Sequence, residues 1–391
     1  MDVDTVVVLS GVVELALGVA LLVAWRHPCR AVVGIVAAGL FVAVFPGNIA
    51  QLTEHRDAFD LDTDRGRVIR LFFQPVLIAW ALWATDAVGA RRRGACPGGI
   101  VPPPLDADVD MTVPTLALND ATTIPQLGFG VFQIPPESTK EAVLTALRAG
   151  YRHIDTAQMY GNEQGVGEAI AESGIPREEL FVTTKLNNNN HDPADVKRSL
   201  RESLDRLGLD RVDLFLIHWP LPTVGDGDFV ATWRAMVEAR EEGLTTSVGV
   251  SNFQPDHLDR IVAETGEVPA VNQIEVHPYF TNDAAREATR RHGAQVEAWS
   301  PIAQGAVLDD PVLVGIAGDV ERTVAQVVLR WHIQRGDIVF PKSVTPSRIE
   351  ANFALFDFAL SEDQMAAISA LDTGDEGRRG PHPDVMDIVP D

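Results

Sequence analysis

The stretch Val212-Asp213-Leu214-Phe215-Leu216-Ile217-His218 is a short, almost unbroken apolar run that ends on a polar, ionisable residue. A strand needs apolar side chains at consecutive positions when both of its faces are buried, as in a parallel sheet covered by helices. Seven more runs read the same way, near 127–131, 153–156, 181–185, 246–251, 270–274, 295–300 and 338–342. Helical patterns such as 137–149, 193–207 and 229–242 lie between them. Eight strand-then-helix units within residues 111–391 predict an α/β chain of the (β/α)8 TIM-barrel type, an architecture of about 250 residues. Runs at 115–118 and 122–125, joined through Asn119-Asp120-Ala121, predict a hairpin ahead of the first barrel strand. No G-x-G-x-x-G lies between a strand and a helix, so a doubly wound dinucleotide fold is not signalled.

The composition narrows the function classes. Acidic residues outnumber basic ones 55 to 32 over 391 residues, a formal charge of −23. A surface this acidic repels phosphate backbones, which argues against a nucleic-acid partner. Two cysteines, Cys29 and Cys96, make neither a disulfide framework nor a cysteine-rich metal site, and no metal is expected. Only Lys140, Lys185, Lys197 and Lys342 are lysine.

Residues 1–110 read differently from the rest. They hold 9 Arg, no Lys and 12 acidic residues, so most of the negative charge falls on 111–391. Three apolar stretches, 6–25, 31–50 and 71–88, each approach the roughly 20 residues that span a bilayer. They predict an all-α membrane segment of about three transmembrane helices over 1–90. Asp2 and Asp4 stand where a signal peptide would be basic. Arg26, Arg30 and Arg91-Arg92-Arg93 fall on one side, against Arg56, Arg65, Arg67 and Arg70 on the other, which tips the barrel toward the cytoplasm. Residues 91–110 are rich in Gly, Pro and Asp and read as a linker. The expected protein is multi-pass, with the membrane as partner through 1–90. It is cytoplasmic if 1–110 is a neighbouring reading frame joined to that of the barrel. Ser10-Gly11-Val12-Val13-Glu14, Val44-Phe45-Pro46-Gly47-Asn48-Ile49 and the region 70–80 resemble DoxX-like membrane proteins. Glu14, a carboxyl in an apolar span, is either a functional group or one satisfied by Asn48 or Gln74.

In a barrel of this kind chemistry gathers at the C-terminal strand ends. Asp155 and Tyr160 follow the second strand, Lys185 ends the third and His218 the fourth. Ser251 and Asn252 follow the fifth, Gln273 and Glu275 end the sixth, Trp299 the seventh, and Lys342-Ser343 the eighth. Each alone is as well read as a cap or a surface group. Polar residues at seven strand ends facing one mouth point to a site.

Three longer segments carry a family resemblance. Gly150-Tyr151-Arg152-His153-Ile154-Asp155-Thr156-Ala157-Gln158-Met159-Tyr160-Gly161-Asn162-Glu163 resembles the first signature of the aldo-keto reductases. Leu207-Gly208-Leu209-Asp210-Arg211-Val212 continuing to Trp219-Pro220 resembles the second, and Phe340-Pro341-Lys342-Ser343 with Arg348-Ile349 and Asn352 the third. Ala298-Trp299-Ser300-Pro301 and Thr184-Lys185-Leu186-Asn187 are most similar to the 2,5-diketo-D-gluconate reductase branch.

The resemblance implies a monomeric barrel that reduces small carbonyl compounds with NADPH. It makes Tyr160 the acid–base, supported by Asp155, Lys185 and His218. Elementary chemistry agrees: a free tyrosine holds its proton too tightly, and a nearby ammonium lowers its pKa. His218 can donate a hydrogen bond to the carbonyl oxygen. By the same resemblance Trp299 stacks on the nicotinamide, and Ser251, Asn252 and Gln273 bond its carboxamide. Lys342, Ser343 and Arg348 suit a 2′-phosphate, and Asn352 reaches the adenine. Phe132, Trp219 and Trp299 wall the substrate pocket beside His218, and Asn187-Asn188-Asn189-Asn190 give either a polar rim or a solvated loop. The tail 374–391, with His382 and Asp384, is expected over the mouth. Two other function classes remain open: a membrane-tethered, NADPH-sensing regulatory subunit with little turnover, and a redox partner for an active membrane half. The second lacks clustered His or Cys in 1–110 to hold a cofactor.

Overall fold

The computed structural model describes residues 113–390, which fall in the second of the two units into which the chain divides. The three apolar stretches, Glu14 and the linker lie outside the described residues. Among the described residues no helix is long and apolar enough to cross a membrane.

The hairpin forms first. Strands β1 (Thr115–Ala117) and β2 (Thr123–Pro125) pair antiparallel, with Leu116 opposite Ile124. The Asp120 carboxylate closes the turn by accepting from the Thr122 amide at 3.1 Å and its hydroxyl at 2.6 Å.

Eight parallel strands follow: β3 (Phe129–Gly130), β4 (His153–Asp155), β5 (Phe181–Leu186), β6 (Val212–Ile217), β7 (Thr245–Ser251), β8 (Val271–Glu275), β9 (Gln295–Trp299) and β10 (Ile338–Val339). Each pairs with its neighbours in chain order, giving one curled sheet. Amide bonds from Gly128 to the Val339 carbonyl (2.8 Å) and from Val339 to the Gln126 carbonyl (3.0 Å) join the last strand to the first. Alternation along β6 shows why its sequence is apolar throughout. Leu214 and Leu216 pack inward with Ile124 of the hairpin, Phe181 and Ile338, while Phe215 and Ile217 join the outer core under the helices.

The helices are α1 (Pro136–Ala149), α2 (Glu163–Ser173), α3 (Pro193–Leu207), α4 (Phe229–Glu241), α5 (Pro255–Thr265), α6 (Asp283–Arg291), α7 (Pro311–Asp319), α8 (Val324–Gln334), α9 (Pro346–Phe353) and α10 (Glu362–Ser369). Proline begins α1, α3, α5, α7 and α9, where its missing N–H costs nothing. Asp192 caps α3 through the Ala194 amide, and α8 and α10 open with Thr323/Gln326 and Ser361/Gln364 capping boxes. At the end of α1, Gly150 takes a left-handed φ of 113°, and a β-carbon there would run into the Phe353 ring, so a side chain is excluded twice. The result is a barrel whose loops after β4 to β9 open on one mouth.

Candidate active site

Tyr160 sits in a single turn of 3₁₀ helix, Gln158–Tyr160, that Gly161 ends in a left-handed conformation. Two amides fix this turn. Gln158 donates to the Ser199 carbonyl (2.7 Å) and Ser203 hydroxyl (2.8 Å), and its oxygen accepts from the Asn187 amide (2.9 Å). Asn162 is buried and donates to the carbonyls of Val131 (3.0 Å) and Ile134 (3.1 Å). The tyrosine therefore reaches the mouth from a braced loop, its ring partly exposed and its hydroxyl directed at the barrel interior.

There it meets Lys185, a wholly buried ammonium. Nζ donates to Asp155 Oδ1 at 2.7 Å, to the Thr156 carbonyl at 2.9 Å and to the Tyr160 hydroxyl at 3.4 Å. Burial works against the charge on Lys185, but Asp155, joined by Tyr160 and Glu297 at the high pH where those groups are ionised, outweighs it and holds the ammonium above the usual lysine value. Tyr160 corrects the sequence expectation. Burial of the hydroxyl, together with the negative charge of Asp155, raises its pKa by more than Lys185 lowers it, so without a ligand it keeps its proton more tightly than free tyrosine. His218 follows β6 with its ring centroid 5.7 Å from that of Tyr160. Burial first, then the positive charge of Lys185 and the neighbouring His191, push it well below the usual histidine value, so it is a neutral imidazole. Its Nδ1 is buried without a partner among the described residues.

Beneath this group lies a second buried set, in which the sequence reading gave no role to Glu297 and His153. The Gln273 amide donates to Asp155 Oδ2 and to Glu297 Oε2, both at 2.9 Å. Glu297 is buried completely, and burial, with Asp155 nearby, pushes its carboxyl up to about 8. His153, also buried, has Nε2 at 3.9 Å from Glu297 Oε1 and is pushed down to about 4 by burial. The signal was available: in Gln295-Val296-Glu297-Ala298-Trp299, alternation puts Glu297 on the same face as Trp299.

The residues expected to hold the cofactor fall in two groups. Ser251, Asn252 and Gln273 are buried together at the mouth, already linked to one another. Ser251 donates to the backbone carbonyl of Gln273 at 2.8 Å, while the Gln273 side-chain amide is taken by Asp155 and Glu297. The Asn252 amide donates to the His218 carbonyl (3.0 Å), and its oxygen accepts from the Trp299 indole (2.8 Å). Trp299 is thus fixed in orientation with one part of its ring uncovered. Lys342 and Arg348 are exposed and make no ion pair among the described residues, with Ser343 between them in sequence and Asn352 buried in α9. In a chain of this net charge, two unpaired cations, Lys342 in the segment leading to α9 and Arg348 in its first turn, fit an anionic group. The residues present therefore suit a phosphorylated dinucleotide at that end and a stacked ring at Trp299.

Of the residues expected on the substrate side, Phe132 is 51% exposed and 5.0 Å from the Tyr160 ring, and Trp219 is buried 6.5 Å from Trp299. Met386 of the C-terminal tail packs on Trp219 and Leu221. The tail is held across this end by the Glu275 carboxylate, which accepts from the Arg379 (2.6 Å) and Gly380 (3.0 Å) amides, and by Asn188, which donates to the Ile388 carbonyl at 2.8 Å. His382 and Asp384 lie in it, Asp384 also 3.7 Å from His257 of α5.

A barrel with a buried ammonium between a carboxylate and a tyrosine at its catalytic mouth is an enzyme fold with a proton-handling site. The chain belongs to the aldo/keto reductase family, whose family model matches residues 126–373, and is an NADP-dependent oxidoreductase. An aldo-keto reductase of Mycobacterium sp. (strain JLS) is 50% identical over 279 residues, covering 71% of this chain and all of the relative. Methylglyoxal reductase DkgA of Escherichia coli (strain K12) is 46% identical over 277 residues, 70% of this chain and 98% of that protein. Among solved structures, an aldo/keto reductase from Brucella melitensis is 50% identical with a TM-score of 0.65, over 67% of this chain and 99% of that one. A Gox0644 mutant in complex with NADPH is 42% identical with a TM-score of 0.68, over 71% of this chain and 100% of that one. Residues 2–85 match a family described only as a domain of unknown function, DUF8561.

Proposed function

We propose that residues 111–391 reduce small aldehydes or ketones to alcohols, with Tyr160 as the proton donor and Asp155, Lys185 and His218 as its support. The observation that carries this is the Lys185 ammonium, 2.7 Å from Asp155 and 3.4 Å from the Tyr160 hydroxyl. Bound NADPH supplies a hydride to the carbonyl carbon. The chain's own residues then manage the oxygen. Neutral His218 donates an N–H to it, and Tyr160 gives it the proton as it becomes an alkoxide, a stronger base than tyrosinate. Lys185 stabilises the tyrosinate that forms, in a water-poor setting where one ammonium counts for more than in bulk water. Asp155 keeps Lys185 charged and aimed.

Trp299, Ser251, Asn252 and Gln273 would face the nicotinamide, and Lys342, Ser343, Arg348 and Asn352 the adenosine 2′-phosphate end. For the substrate, small dicarbonyls or keto-sugar acids fit best. Phe132, Trp219 and Met386 give short apolar walls, Asn188 lies at a polar edge, and the methylglyoxal reductase of E. coli is a near relative. Residues 1–90 we read as a DoxX-like membrane segment and 91–110 as its linker, on the apolar runs quoted above.

The test is Tyr160→Phe assayed with NADPH against a panel of carbonyls. Turnover should fall by orders of magnitude, while NADPH still quenches tryptophan fluorescence with a Kd close to that of the unaltered protein. Near-full activity in the phenylalanine variant would show that another group donates the proton.

A further inference from the structure

We propose that Glu297 is a positioning residue for the proton donor: a neutral carboxylic acid inside the barrel that, through the Gln273 amide, limits the negative charge facing Lys185 to that of Asp155 alone. This rests on the reading of Tyr160 as donor given above.

The geometry makes the argument. His153 Nδ1 lies 3.3 Å from the Pro125 carbonyl, an oxygen that can only accept, so Nδ1 carries the ring proton. Nε2 is then a lone pair, 3.2 Å from the Thr183 hydroxyl and 3.9 Å from Glu297 Oε1. That Glu297 oxygen has no hydrogen-bond donor among the described residues, and it is fully buried. The Thr183 hydroxyl donates to the Nε2 lone pair, so His153 offers Glu297 no proton, and a carboxylate there would be a buried charge whose Oε1 has no donor; protonation removes that charge. The other oxygen is satisfied by the Gln273 amide, whose second hydrogen goes to Asp155.

The ionisable groups facing this carboxyl are His153 and Asp155 of β4 and Lys185 of β5, with Gln273 of β8 as its polar partner. One ammonium and one carboxylate balance. A second carboxylate would leave a net negative charge sealed in the barrel, which neutralisation avoids. The raised value of about 8 agrees with this assignment.

The consequence is directional. While Glu297 is neutral, Lys185 faces a single carboxylate and its pull on the Tyr160 proton is strongest. When Glu297 ionises, the added negative charge makes tyrosinate costlier and raises the Tyr160 pKa. Glu297→Gln keeps the shape and the neutral state at every pH. In the full-length protein, the apparent pKa read from both the alkaline limb of carbonyl reduction and the rising limb of alcohol oxidation should move down by roughly half to one unit. Rates at pH 6 should stay within about twofold, since both forms are then neutral.

Infrared difference spectra of the unaltered protein should show a protonated carboxyl band that vanishes with a midpoint near 8, and Glu297→Gln should lack it. If Glu297→Gln does not fold, Glu297→Met carries both measurements. Limbs that do not move overturn the proposal, as does an unaltered protein with no carboxyl titrating above pH 6. The infrared arm reads the carboxyl without using catalysis. A failed assignment of Tyr160 would therefore leave that band in place, whereas failure of this inference removes it.

Discussion

Arg348 is an exposed cation with no acidic partner among the described residues, and in so acidic a chain that needs a reason. Most of its counterparts are paired: Arg206 with Glu163, Arg322 with Asp357, Arg286 with Asp337. If Arg348 meets the 2′-phosphate, Arg348→Ala removes a charge-assisted contact of roughly 1.5–3 kcal/mol. NADPH binding should then weaken about ten- to a hundredfold, and NADH binding by much less. Fluorescence titration with both cofactors checks this, and equal losses would remove Arg348 from the phosphate site. At this scale the sequence disclosed which polar residues gather at the mouth, because each stands at a strand end or in a motif of fixed spacing. It disclosed less of what they feel. Burial of Tyr160, with the charge of Asp155, outweighs Lys185, and no reading of spacing carries the magnitude of desolvation. Glu297 went unread because a carboxyl within a strand looks like a solvent-facing position until the barrel closes around it.

Elements were legible where the chemistry is local. The helix Pro193–Leu207 has the expected limits because Asp192 and Pro193 start it and Gly208 stops it. The first and last barrel strands came out shorter than expected. Leu127 makes only a single bridge, and Pro341 has no N–H to continue β10. The C-terminal tail was out of reach for a different reason. Its ties use the backbone amides of Arg379 and Gly380 and the carbonyl of Ile388, which every sequence possesses, and they meet Glu275 and Asn188 more than a hundred positions away. Glu275 is thus the anchor of a segment that brings Met386 onto the substrate side. Glu275→Gln leaves one oxygen to accept where two did. It should raise KM for carbonyl substrates roughly tenfold with a smaller change in kcat, on the loss of one charged hydrogen bond. Amide hydrogen exchange at Arg379 and Gly380 should accelerate in parallel. Unchanged exchange would show that the tail is held elsewhere.

Across the whole chain the question is whether the barrel depends on what precedes it. The described residues close their own sheet and carry their own cores, with the hairpin packed on Leu214, Leu216 and Ile338. Every residue proposed for chemistry or cofactor lies after position 111. The mycobacterial relative aligns over its full length of 279 residues with 71% of this chain, so a barrel of this sequence type stands without a counterpart of residues 1–110. The segment 2–85 matches a separate family, and residues 91–110, which we read as a linker, are rich in Gly and Pro with no periodic apolar pattern. Residues 111–391 expressed alone should therefore fold, stay in solution and reduce carbonyls with kcat/KM within about twofold of the full chain, because linked modules of this kind keep separate cores. The measurement is NADPH turnover and sedimentation of the two proteins side by side, with membrane partition of the full chain recorded in the same experiment. An inactive or unfolded 111–391 beside an active full-length protein would make the first 110 residues part of the enzyme. Equal activity with only the full chain in the membrane fraction would give them the role of an anchor that sets where the reduction takes place.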